Sequence, residues 1–422
     1  MRIAVFITLL ALVAPPAYAA VALHVTSGST QVDVTLADTY IAVQSPKVRT
    51  IYDFSARRRI EIDLAAGTYV DFSLFDTLGF RVMEMENRKV LNGALASVKL
   101  DAALGRTVDI ENELAVAKDK ASVIDEKTDG DMLRFSSGGM ELASWSKSGA
   151  KVDAADAARF AQFVRYTQGG HPQLLEKLAK SGMIPDRLTL TMRSAGGVRT
   201  LNLAMAAVQP AQPPAYDVKG YAPRASGQGL DALLDRVAAM SPQQLDALRA
   251  AHPCDNSVDF SDANVMDTML GRIECTLATG KPMAQLAAAQ MQAVRDSPSL
   301  TLMFASINPA KPEQYADAVK TLVELRKLAP RKAYVLKLFE ANHRLRLRQY
   351  KESQQLFEEV LEADPVLGGA YKDLGDLLLM QYDSPRAWRS WDTGRRVSPG
   401  LPNFQPVNQF ESGMTTQHPE YF

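Results

Sequence analysis

Residues 371–399 read YKDLGDLLLMQYDSPRAWRSWDTGRRVSP. Tyr371, Leu374 and Leu378 recur at helical spacing with Gly375 beside Leu374, and a second helix carries a small residue, Ala387, followed four positions later by Trp391. Pro399 ends that second helix, because proline has no amide to donate and its ring blocks the preceding turn. The same punctuation lies upstream. Pro330 and Pro365 precede Pro399 at spacings of 35 and 34 residues. Each follows a helix with a small residue and a large apolar one four positions on, Ala318 with Leu322 and Ser353 with Phe357. A small residue lets paired helices approach, and the large one fills the gap between them.

This period and order of residues resembles the tetratricopeptide repeat family over residues 299–401. The last unit matches closely. The middle unit keeps Ala341, Ser353, Phe357 and Pro365 but has Lys337, Glu340 and Arg344 where apolar residues are expected. The first keeps only its second helix, with Pro309 and Pro312 in the inter-helix turn. The resemblance implies a binding module whose concave surface, lined by the first helix of each pair, holds a peptide or protein partner. Carried onto this chain, that surface would include Leu338, Asn342 and Arg346 in the middle unit and Lys372, Asp376 and Met380 in the last.

Upstream, residues 230–298 read as further helices. Leu230, Leu233, Leu234 and Val237 share one face, and Ser241-Pro242-Gln243-Gln244 carries the signature of a capping box. Val265, Met266, Met269, Leu270, Ile273 and Leu277 predict a helix over 262–278 ending at Gly280, and Pro282 is read as opening the next. The pattern places Met266, Met269, Met283 and Met291 in helix packing, and the core is also the expected place of Trp388 and Trp391. Cys254 and Cys275 are the only two cysteines, and in an exported protein such a pair is expected as one disulfide.

Residues 209–229 hold Pro210, Pro213, Pro214 and Pro223 with Gly220, Gly227 and Gly229, and read as a linker. Before it, residues 20–208 alternate as strands, for example Val32, Val34, Leu36 and Ile60, Ile62, Leu64. Asp129-Gly130, Gly138-Gly139 and Gly196-Gly197 mark hairpins, so the sheet should be antiparallel. Helices are expected at 86–100, 154–166 and 172–180. The fold class is therefore α+β: an antiparallel sheet with packed helices, followed by an all-α repeat array and a tail at 402–422 without a period.

Met1-Arg2, the apolar run Ile3 to Val13 and Ala17-Tyr18-Ala19 form a secretory signal pattern over residues 1–19, so the mature chain is expected in the periplasm. No later stretch reads as a transmembrane segment. With 47 Lys and Arg against 48 Asp and Glu, the chain has no general attraction to nucleic acid or to anionic membranes. The five histidines lack zinc spacing, and there is no nucleophile elbow, phosphate loop or dinucleotide fingerprint, so no cofactor, metal or catalytic residue is assigned. The clusters Arg57-Arg58-Arg59 and Arg344, Arg346, Arg348, Lys351 with His343 read as solvated faces, the second paired with Glu358 and Glu359.

The expected function is that of a periplasmic scaffold or adaptor for a protein or peptide of the cell envelope. One alternative is a carrier of a lipid or other apolar ligand in a curled N-terminal sheet, which requires an apolar helix-free face. A second is a hydrolase of unrecognised type, built from scattered groups such as Asp53, Glu84, Glu86 and His171.

Overall fold

The computed structural model describes residues 20–97, 114–116, 123–194, 197–212, 216–224, 229–254, 260–261, 263–283 and 285–422; the signal pattern lies outside them. Strands β1 to β6 are Ala20–Ser27, Thr30–Ala37, Tyr40–Gln44, Val48–Asp53, Arg58–Asp63 and Thr68–Ser73. Strands β7 to β14 are Asp125–Asp129, Met132–Ser137, Met140–Ser146, Gly149–Lys151, Met183–Pro185, Arg187–Ser194, Gly197–Ala211 and Ala222–Pro223. Helices α1 to α7 are Phe75–Ser97, Ala154–Thr167, Pro172–Ala179, Leu230–Ala238, Pro242–Ala251, Val265–Thr279 and Ala288–Arg295. Helices α8 to α14 are Pro298–Ile307, Tyr315–Leu325, Ala333–Arg346, Tyr350–Ala363, Gly368–Met380, Ser384–Val397 and Gln405–Gln417. The class is α+β, a large antiparallel sheet followed by a helical array.

The chain forms two compact units, residues 1–55 with 90–218, and residues 56–89 with 219–422. In the first, the strands run in the order β4-β3-β2-β1-β13-β12-β9-β8-β7, each antiparallel to its neighbour. The Asp129-Gly130 hairpin forms as the sequence requires, with Gly130 at φ 59° and Asp129 opposite Met132. Helices α2 and α3 lie where the apolar pattern predicts and fill one face. Phe160, Phe163, Val164, Leu174, Leu175 and Leu178 share a core with Leu23, Leu36, Phe135 and Leu190. Asp153 caps α2 by accepting the Asp156 amide at 2.8 Å. Away from Tyr40 of β3 and Ile51 of β4, which are buried, the opposite face of the sheet is polar: His24 pairs with Asp33, Arg49 with Gln44 and Thr189 with Asn202, beside exposed Thr26 and Gln31.

The second unit takes in residues 56–89, which the strand pattern had grouped with the sheet domain. Their hairpin, β5–β6, and the start of α1 are held by the end of the helical array. Arg58 donates to Asp392 at 2.6 Å and to Asp71 at 2.7 Å, and Arg59 donates to Asp76 at 2.6 Å, so these two serve ion pairing, while Arg57 stays exposed over the Phe75 ring. Helix α1 opens at Phe75, eleven residues before the predicted start, because Phe75, Leu78 and Met85 form its buried face, with buried Leu74 just before it. Part of the expected linker is also ordered: β13 extends to Ala211, paired with Ala20 of β1, and β14 pairs in parallel with β6 of this hairpin, Ala222 opposite Thr68.

Helices α8 with α9, α10 with α11 and α12 with α13 pack as successive pairs. Helix α8 stands in the place of the first unit's first helix, where the repeat's residue pattern is not kept, and buries Leu300 and Met303. Ser241 and Gln244 form the capping box of α5, and Gly280 ends α6 at φ 70°. Pro282 does not open a helix; the next begins at Ala288, and Met283 and Met291 are exposed. The expected tail is helical, and Glu411 of α14 accepts from the Trp388 indole at 3.0 Å.

Candidate functional site

Gly375 explains why the Leu-Gly step stands where it does: a side chain there would overlap the indole of Trp391, whose Nε1 donates to Lys372 O at 3.1 Å. Close approach of α12 and α13 fixes which residues of α12 turn outward, and these continue onto α10. Asn342 donates to Asp373 Oδ2 at 2.8 Å, joining the first helices of two successive pairs. Lys372 pairs with Asp376 one turn on along α12. Arg346 is exposed and lies over the Tyr315 ring, 5.6 Å from its centroid. Burial pushes the Asp373 carboxyl up to about 6, against the lowering influence of Asn342 and Lys372. Met380, half-exposed at 52%, closes the band at the end of α12.

Five of the six expected surface residues thus lie on one band. Leu338 does not, being 2% exposed. The array carries an extra helix, α6, against α8, α10 and α12, whereas isolated pairs would leave their first helices bare. Residues 266–275 of α6 are all buried, so it is a core helix of the array. Asp267 accepts the Arg331 and Lys332 amides at 3.2 and 2.9 Å just before α10 begins.

The polar departures of the middle unit form their own network. Glu340, 2% exposed, pairs with Arg326 and, at 2.7 Å, with Arg344, while Lys337 reaches Glu359 at 2.9 Å. Arg344 is therefore committed to Glu340, not to Glu358 or Glu359. His343 is buried, bonded through Nε2 to Ser306 O at 2.7 Å, and its pKa is lowered, by burial first. Of the residues weighed for hydrolysis, Glu84 and Glu86 pair with Arg88 and Lys89 on their own helix, and Asp53 accepts from Ser55. His171 is buried at the start of α3.

A second feature was not anticipated. A cleft of about 460 Å³ is lined by His252, Cys254, Glu274, Cys275, Lys332, Tyr334 and Asp364, among others. Lys332 Nζ lies 2.5 Å from Glu274, which also accepts the Tyr334 hydroxyl, and His252 is 3.5 Å from Asp364. Burial pushes Asp364 up to about 7, with Glu274 adding to the effect. The expected disulfide is not formed: the cysteines are 2.7 Å apart and unbonded, Cys254 exposed and Cys275 buried. Among the described residues, no cluster of His, Cys, Asp and Glu is arranged to hold a metal ion, and no helix is long and apolar enough to cross a membrane. The chain matches no family model, no curated protein and no solved structure.

Proposed function

We propose that the protein is an exported, periplasmic scaffold of tetratricopeptide type that holds a peptide or protein of the cell envelope across α10 and α12. The observation that carries this reading is the Asn342–Asp373 bond, which joins two first helices into one polar band with Arg346, Lys372 and Asp376. Such a band offers donors and acceptors to an extended backbone, with Met380 as an apolar contact at its edge. Export rests on the signal pattern of residues 1–19. The apolar-carrier reading is disfavoured, since the helix-free sheet face carries His24, Asp33, Asn202 and Thr189 and the other face is filled by α2 and α3.

The test is affinity capture from an envelope extract, comparing the wild-type chain with the double variant Arg346→Glu/Met380→Asp. Both side chains are exposed, so the fold should persist. A partner held by the wild type and lost by the variant supports the scaffold; identical capture by both removes this band from consideration.

A further inference from the structure

The cysteine pair sits at a place built for more than a staple. Cys254 follows the end of α5 and is exposed, so a soluble reagent can reach it. Cys275 lies on α6, 8% exposed, in direct contact with Cys254. Both line the same cleft as His252, Glu274, Lys332, Tyr334 and Asp364. One reachable sulfur touching one sheltered sulfur lets an incoming disulfide be attacked at the first and resolved by the second, since exchange depends on access and thiolate character.

We propose that Cys254 and Cys275 are an exchange-active dithiol, with Cys254 as the entry sulfur for a small-molecule disulfide and Cys275 as the resolving sulfur. The Cys254 thiolate attacks one sulfur of the incoming disulfide, whose S–S bond breaks and releases one small thiol, leaving a mixed disulfide on Cys254. Cys275 then gives up its proton and attacks the Cys254 sulfur, and the second small thiol leaves. The sum converts one small disulfide and two cysteine thiols into two small thiols and the Cys254–Cys275 bond. The two protons leave with the small thiols.

The second step needs a base. Burial pushes the Cys275 thiol up to about 12, so it does not ionise unaided near neutral pH. The Asp364 and Glu274 carboxyls line the same cleft, with Asp364 pushed up to about 7 by burial, and in the proposed exchange Asp364 takes this proton and returns it to the leaving thiol. The Lys332 ammonium and the Tyr334 hydroxyl bond Glu274, and His252 faces Asp364; these are the charged and titratable neighbours that set the balance. The bond, once formed, ties the chain after α5 to α6, the helix packed against α8, α10 and α12.

The experiment treats the reduced full-length chain with oxidised glutathione, followed by alkylation and intact-mass and peptide analysis. The wild type should end as an internal disulfide without retained glutathione, and reduced glutathione in excess should reopen it without unfolding. Cys275→Ser should keep one glutathione on Cys254, with Cys275→Ala as the replacement if the serine variant does not fold. Cys254→Ser should remain unmodified in the native state, and Asp364→Asn should slow closure of the internal bond by roughly 10-fold or more without slowing the first step. Two thiols left free in the wild type would overturn the proposal. So would glutathione found on Cys275, or an internal bond that only unfolding allows to be reduced.

Discussion

Gly79 lies directly under the indole of Trp388, so that a Cβ added to Gly79 would overlap the ring and stand 2.8 Å from Cζ3. Trp388 is fully buried, and this contact seats α1 on α13. The substitution Gly79→Ala should improve local helix propensity by about 1 kcal/mol, yet overpacking typically costs 1–3 kcal/mol, so a net loss is expected. Gly413, in α14 with nothing within 4 Å of an added Cβ, is the control: Gly413→Ala should be neutral or slightly stabilising. Urea unfolding of both variants gives the answer, and equal stabilities would mean that α1 does not dock on Trp388.

Ala387 is fully buried where α13 meets α12. Placing an unpaired carboxylate there through Ala387→Asp should cost roughly 3 kcal/mol or more. A thermal midpoint equal to that of the wild type would show that the pairing of these helices is wrong.

Glu340 bridges Arg326 and Arg344 from a buried position, whereas Lys337 and Glu359 form a half-exposed pair. Truncating Glu340 to Ala leaves two partly buried guanidinium groups without their shared buried carboxylate and should cost about 3 kcal/mol, against about 0–1 kcal/mol for Lys337→Ala. Denaturant midpoints separate the two cases; comparable losses would contradict the burial of the Glu340 network.

Burial, with Glu274 beside it, pushes the Asp364 carboxyl of the folded chain up to about 7, above its unfolded value of about 4. Between those values the folded chain keeps a proton that the unfolded chain has released. Its contribution to stability is therefore fully present below pH 4 and declines as pH rises to about 7, by at most about 1.4 kcal/mol per pH unit. Asp373, pushed to about 6, acts in the same direction over a narrower window. His343 opposes both, because its lowered pKa makes stability fall as the solution becomes more acid than the ordinary imidazole range. Unfolding free energies at pH 5 and pH 7 should differ less in Asp364→Asn than in the wild type. An unchanged slope would remove Asp364 from the titration.

The repeat was legible where a residue's partner lies within its own helix pair. Tyr371, Leu374, Gly375, Ala387 and Trp391 declare their contacts through spacing alone, and Asp129-Gly130 declares its hairpin through backbone chemistry. Contacts across hundreds of residues left no such trace. The alternation of Ile60 and Ile62 identifies a strand, but nothing local says that Arg58 meets Asp392. Helix α14 buries Val407 and Met414 and sets Phe410 against Trp388, a spacing of three and four that was present in the sequence but too sparse, between proline, glycine and polar residues, to be read as a helix. Of the candidate band, the outward positions of α10 and α12 were readable, while the burial of Leu338 depends on the surrounding array and was not. The cleft draws Cys254, Glu274, Lys332 and Asp364 from four separate segments, which is why spacing gave only the two cysteines.

The most direct test places a photo-crosslinking amino acid at Met380, on the proposed partner-binding band, and in a second chain at Thr26, on the polar sheet face. Both are irradiated in an envelope extract. A discrete protein adduct at position 380 and none at position 26 is the predicted result. An adduct at position 26 with none at 380 would contradict the assignment of partner binding to the α10–α12 face.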